Sequence, residues 1–92
     1  NLLGLAQRAG KIISGEEMVV KAIQEQKAKL VFLAHDAAPN LTKKIQDKSH
    51  YYQVEIVTVF STLELSIAVG KSRKVLAVTD AGFTKKMRSL ME

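Results

Sequence analysis

Two runs, the unbroken apolar Leu30-Val31-Phe32-Leu33-Ala34 and the buried-strand run Val75-Leu76-Ala77-Val78-Thr79, constrain this chain more than any other feature. A strand with one wet face alternates apolar and polar side chains. A run without alternation is a strand covered on both faces. The segments around the two runs have helical spacing, so helices form the covering layers. Leu2, Leu3, Leu5, Ala6 and Ala9 lie on a helix that Gly10 ends. Lys11-Ile12-Ile13 reads as a short strand, and a second helix runs from Glu16 to about Gln26. Pro39-Asn40 opens a third helix, with Leu41 and Ile45 inward and Lys43, Lys44 and Lys48 outward. Val54 to Phe60 reads as a third strand. Ser61-Thr62-Leu63-Glu64 is a capping box opening a helix that closes at Gly70, and Phe83, Met87 and Leu90 mark a last helix. This alternation predicts an α/β fold, a three-layer α/β/α sandwich around about four strands. It leaves open which strands are parallel. No linker, repeat or low-complexity segment interrupts residues 1–92, so a single domain is expected.

Composition narrows the function classes. Fourteen Lys and Arg against nine Asp and Glu give a net charge of +5. Such an excess favours polyanionic partners, nucleic acid first. There are no cysteines, which excludes disulfides, zinc fingers and thiol catalysis. The only histidines, His35 and His50, have no ligand pattern around them, so no metal site and no cofactor are expected. No apolar run reaches the roughly 20 residues that span a bilayer, and none has the make-up of a secretory signal. A cytoplasmic protein that does not enter membranes is expected.

Two clusters carry chemistry. In the first, Ser14-Gly15-Glu16-Glu17-Met18-Val19-Val20-Lys21, Ser14 and Glu17 have capping-box spacing, so Ser14 is the expected N-cap. Glu17 and Lys21 are four apart and share one outer face. A phosphate on this helix end would meet Glu16 and Glu17. Base recognition suits the pair better, since a carboxylate accepts from guanine N1–H and N2–H. Lys21 would meet a phosphate. The plainer alternative is helix capping plus a surface ion pair worth about 0.2–0.5 kcal/mol. The second cluster is Gly70-Lys71-Ser72-Arg73-Lys74, ahead of the strand at Val75. It reads either as a clamp on phosphates and bases, through the planar fork of Arg73, or as a solvated loop complementing a helix C-terminus.

Lys43, Lys44 and Lys48, with Lys85, Lys86 and Arg88, read as solvated helix faces. With five aromatic residues in all, open single-strand binding by stacking is disfavoured. His35 and Asp36 adjoin after a central strand, where α/β proteins place sites. No nucleophile elbow surrounds Ser14 or Ser72, and the five glycines form no phosphate loop. Asp36 is expected to bond local backbone in a turn, and an enzyme is not expected.

The ordered set Gly10-Lys11, Gly15 with Lys21, Ala28-Lys29-Leu30-Val31, Asp36 with Pro39, Leu65 with Ala68-Val69-Gly70, and Val78-Thr79-Asp80-Ala81-Gly82 covers nearly the whole chain. It resembles the archaeal and eukaryotic large-subunit ribosomal proteins that bind kink-turn RNA, and within them the small bacterial YlxQ-like branch. The resemblance implies a mixed sheet and a loop-plus-helix start, G-x-N-E-x-x-K, that reads the sheared G·A pairs. Carried over, Gly15 matches the glycine, Glu17 the asparagine, Met18 the glutamate and Lys21 the lysine. The loop before the last strand would cover the flipped-out bulge nucleotide; here it is Lys71 to Val75, with Arg73 at an often contacting position. This chain departs from the pattern at Glu17, which only accepts hydrogen bonds, at Met18, which makes none of strength, at Ala38 before Pro39, and at Ser66 in place of a usual glycine.

The resulting expectation is a non-enzymatic protein, monomeric and ribosome- or translation-associated, that recognises kink-turn or related bent RNA. Glu17 with Glu16 would accept from guanine edges. Lys21 and Lys11 would neutralise phosphates. Arg73, Lys71 and Lys74 would hold the bulge beside Ser72, with Val75 as an apolar cover. The alternative is a protein-interaction module on the translation machinery that has lost kink-turn binding along with the Asn-Glu pair.

Overall fold

The computed structural model describes residues 2–91. In chain order the elements are α1 (Leu2–Arg8), β1 (Ile12–Ser14), α2 (Glu16–Gln24), β2 (Leu30–Leu33), α3 (Pro39–Tyr51), β3 (Ile56–Val57), α4 (Thr62–Val69), β4 (Val75–Val78) and α5 (Ala81–Met91). The strands form one sheet in the order β1-β4-β2-β3. β4 is antiparallel to both β1 and β2, while β2 and β3 are parallel, so the sheet is mixed.

The two apolar runs are the two central strands, and every residue of β2 and β4 is buried. Their side chains alternate between faces, as strand geometry requires. Leu30, Phe32, Leu76 and Val78 pack with Leu3 and Ala6 of α1, Leu65 and Val69 of α4, and Met87 of α5. Val31, Leu33, Val75 and Ala77 pack on the other face with Val19, Val20, Ala22 and Ile23 of α2 and Ile45 of α3. The predicted three-layer sandwich is therefore the fold, with α1, α4 and α5 on one side and α2 and α3 on the other.

Helix ends follow local chemistry where the chemistry is specific. At α4, the Ser61 hydroxyl accepts from Glu64 N–H and the Glu64 carboxylate from Ser61 N–H, the capping box read from sequence. Gly70 closes α4 in the left-handed conformation at φ 79°.

Other boundaries move. The third strand is confined to Ile56–Val57 instead of Val54–Phe60. β3 is an edge strand with β2 as its sole ladder partner, and the chain on either side is held by single bonds, Val31 N–H to Glu55 O and His35 N–H to Phe60 O. The first strand is Ile12–Ser14 instead of Lys11–Ile13 because Ser14 pairs with Leu76. That extra residue of sheet removes Ser14 from the cap. α2 is capped at Gly15, with no side-chain cap bond. Lys48 is half-buried instead of outward.

Candidate functional site

The two clusters read from sequence meet at one end of the sheet. Because β1 and β4 are antiparallel, the end of β1 lies beside the start of β4. Gly15 N–H donates to Val75 O at 3.3 Å. Arg73 Nε donates to Ser14 Oγ at 2.9 Å, across 59 residues of chain. The register Leu33↔Val75 brings the end of β2 to the same place, and Ala34 N–H donates to Lys74 O at 2.8 Å.

The basic loop is held from below. Ser66 of α4 uses one hydroxyl twice: its Oγ accepts from Arg73 N–H at 2.9 Å and donates to Arg73 O at 3.2 Å. Arg73 is half-buried, and its Nη1 also donates to Ser72 O at 2.7 Å. The guanidinium has five N–H donors, and these two bonds leave the rest of the fork without a partner among the described residues. Lys71, Ser72 and Lys74 are exposed around it. On the facing side, Gly15 turns the chain from β1 into α2 at φ 95° and ψ 148°. Glu16, Glu17, Met18 and Lys21 follow, all exposed.

The acceptors separate. Glu16 Oε2 accepts from Lys44 Nζ of α3 at 3.0 Å. Glu17 has no partner among the described residues, and it makes no ion pair with Lys21 there. The surface-pair alternative for Glu17 and Lys21 is thus not what the side chains do. Both remain available to a ligand, and Met18, 55% exposed, lies beside them.

Three residues need correction. Ser14 is a strand residue whose hydroxyl anchors Arg73; it does not cap α2. Val75 is 1% exposed and packs in the core with Val19 and Ile23, so its side chain covers nothing outside. Lys11 precedes β1 and lies at the opposite end of the sheet, where its carbonyl accepts from Thr79 N–H at 3.0 Å. It lies four residue steps before Gly15, roughly 13 Å of rise.

Asp36 also sits at this end. Its strongest bonds run across the fold, to the start of α4: Oδ1 accepts from Thr62 Oγ1 at 2.7 Å and from Thr62 N–H at 2.9 Å. These bonds, the hydroxyl first, hold its pKa below the ordinary 3.8. Glu64 is likewise lowered from 4.5, by the Ser61 N–H and then the Ser61 hydroxyl. Both carboxylates fasten the first turn of α4, and that is a structural occupation for Asp36. Among the described residues no group of three or more His, Cys, Asp or Glu side chains is placed to hold a metal ion. No helix there is long and apolar enough to cross a membrane.

Two contributors were not assigned from sequence. Lys44 lies on a helix face that its sequence marks as solvated, and nothing local signals that it reaches Glu16. Ser66 stood out only as a departure from a usual glycine. Its hydroxyl is what fastens the basic loop.

Residues 1–88 match the Ribosomal protein L7Ae/L30e/S12e/Gadd45 family. The chain belongs to that family. Within it, the RNA-binding protein YlxQ of Enterococcus faecium is 50% identical over 92 residues, covering 100% of this chain and 89% of the relative. The YlxQ of Bacillus subtilis is 49% identical, covering 99% and 92%. The large ribosomal subunit protein eL30 of Tetrahymena thermophila is 34% identical, covering 87% of this chain and 80% of its own length. The chain thus falls in the bacterial YlxQ-like branch of the L7Ae/L30e family, as its landmarks implied. Among solved structures, a protein of unknown function from Bacillus halodurans superposes with a TM-score of 0.92 at 44% identity, covering 98% of this chain and 92% of that one. The Giardia lamblia 15.5kD RNA binding protein superposes with a TM-score of 0.80 at 21% identity, covering 97% and 83%, and shares the fold.

Proposed function

We propose that this chain is a non-enzymatic RNA-binding protein of the translation machinery that recognises a kink-turn or a closely related bent RNA. The whole chain acts as one RNA-binding domain and as a monomer, and it needs no cofactor. The observation that carries the reading is the Arg73–Ser14 hydrogen bond, which joins a basic loop to a base-accepting helix start. Glu17 accepts from guanine edges in the sheared pairs, the role a carboxylate can fill. Glu16, tied to Lys44, keeps one oxygen for the same work. Lys21 meets a phosphate. Lys71, Ser72, Arg73 and Lys74 hold the bulge, the arginine by its fork and the lysines as charges. Membership in the L7Ae/L30e family and the RNA-binding relatives support this reading. Binding then favours the bent RNA over the extended form by its differential contacts.

The test is a titration of the protein against a kink-turn RNA and against the same RNA with its G·A pairs changed to Watson–Crick pairs. Binding is expected to the intact motif alone. Arg73→Ala and Glu17→Ala should each cost about 1–3 kcal/mol where they meet bases. Equal, weak binding to both RNAs would reject the motif. That outcome would favour a protein-interaction role through a groove of about 390 Å³ between α1, α4 and α5, lined by Leu2, Leu3, Phe60, Ile67 and Leu90.

A further inference from the structure

The end of the sheet opposite Gly15 is also basic, and its basic groups stand in a row. The order β1-β4-β2 sets side by side the residue before β1, the residue after β4 and the residue before β2: Lys11, Thr79 and Lys29. Thr79 N–H donates to Lys11 O at 3.0 Å, and Lys29 N–H donates to Val78 O at 2.7 Å. With neighbouring strands about 4.8 Å apart, the two lysine backbones lie roughly 10 Å apart. Helix α5 leaves from this same end at Ala81. Between it and the sheet lies a cleft of about 600 Å³ lined by Lys29, Ala81, Thr84, Lys85, Arg88 and Ser89.

No carboxylate lines that cleft. Lys11, Lys29 and Lys85 are exposed and form no ion pair among the described residues. The acids nearby are already engaged: Asp80 Oδ2 accepts from Phe83 N–H at 2.8 Å, and Glu55 Oε1 holds Arg88 Nε at 2.7 Å. Thr84, 3% exposed, carries a buried hydroxyl with no hydrogen-bond partner among the described residues.

We infer that this end is a second phosphate-binding surface, which grips a duplex arm of the same RNA whose bend the Gly15 and Arg73 end recognises. The inference rests on the proposed function and extends it. A solvated lysine face is the ordinary fate of surface charge. Here the lysines lack acidic partners, border a cleft without carboxylates, and sit one strand length from the first site. The four residues of β4 span about 13 Å. The whole molecule measures 29 × 25 × 25 Å, so a duplex leaving one end can run along it to the other. An RNA duplex supplies a continuous row of phosphates along its backbone. The contact carries charge and no base readout, so it adds affinity without changing sequence preference.

The experiment titrates the full chain against two RNAs with one kink-turn, one with short arms and one with an arm longer by about ten base pairs, across a salt series. Wild type should bind the longer RNA about tenfold more tightly. Its log K against log salt should be steeper by about two, close to one unit per phosphate. The Lys29→Ala/Lys85→Ala double variant should lose that gain and keep wild-type affinity for the short RNA. Equal slopes for the two RNAs with wild type would overturn the second surface. So would a double variant that weakens both RNAs alike. Unchanged affinity for the short RNA after Arg73→Ala and after disruption of the G·A pairs, with the arm-length gain intact, would overturn the kink-turn reading and leave this surface standing.

Discussion

Gly15 turns the chain at φ 95° and ψ 148°, a conformation that side chains with a Cβ rarely adopt. A Cβ built there meets nothing within 4 Å, so the demand is on the backbone and not on space. Gly15→Ala should therefore cost about 1–3 kcal/mol, as strain in a sparsely populated region, with no packing change. Urea unfolding measures this, and an unchanged midpoint would contradict it. The glycine was legible as a turn; the extra strand residue before it was not. Ser14 followed by Glu17 has the same spacing as Ser61 followed by Glu64, and only the second pair forms a capping box. The difference is tertiary. Ser14 is drawn into the β1–β4 ladder opposite Leu76, and its hydroxyl goes to Arg73.

At the scale of elements, α4 depends on acids that are easy to test. Asp36 receives two bonds from Thr62, and Glu64 closes the Ser61 box. Each carboxyl has its pKa lowered in the folded chain, so each stabilises the fold above its ordinary value of 3.8 or 4.5. That contribution is lost as pH falls through the lowered folded values. Wild type should thus exceed an Asp36→Asn/Glu64→Gln variant in Tm at neutral pH, and the gap should close as the solution is acidified below about 4. Melting curves from pH 7 downward would show it; a constant gap would mean the carboxylates do not act through charge. Helix ends with this chemistry are readable locally because donor and acceptor lie three residues apart. The edge strand was overestimated for the converse reason: Val54 to Phe60 has strand composition, but a single neighbour pairs with it.

Across the whole molecule, the two apolar layers are separated by the sheet. Leu76 belongs to the α1, α4 and α5 side, and Ile23 to the α2 and α3 side, both at 0% exposure. Leu76→Ala should cost about 2–5 kcal/mol and Ile23→Val about 0.5–1.5 kcal/mol. The two share no packing layer, so the double variant should be additive within about 0.5 kcal/mol. Denaturant midpoints of the three variants check this. A large coupling would mean the faces communicate through the sheet.

The alternation of buried runs and amphipathic segments determined the sandwich, since burial on both faces and helical spacing are properties of neighbouring residues. Even the two candidate clusters are visible as residue types. Their union was decided by tertiary structure. Antiparallel pairing of β1 with β4 carries Ser14 to Arg73, and the same register sends Lys11 to the far end beside Thr79. Strand pairing joins residues some 60 positions apart, and no local periodicity records which strands will be neighbours.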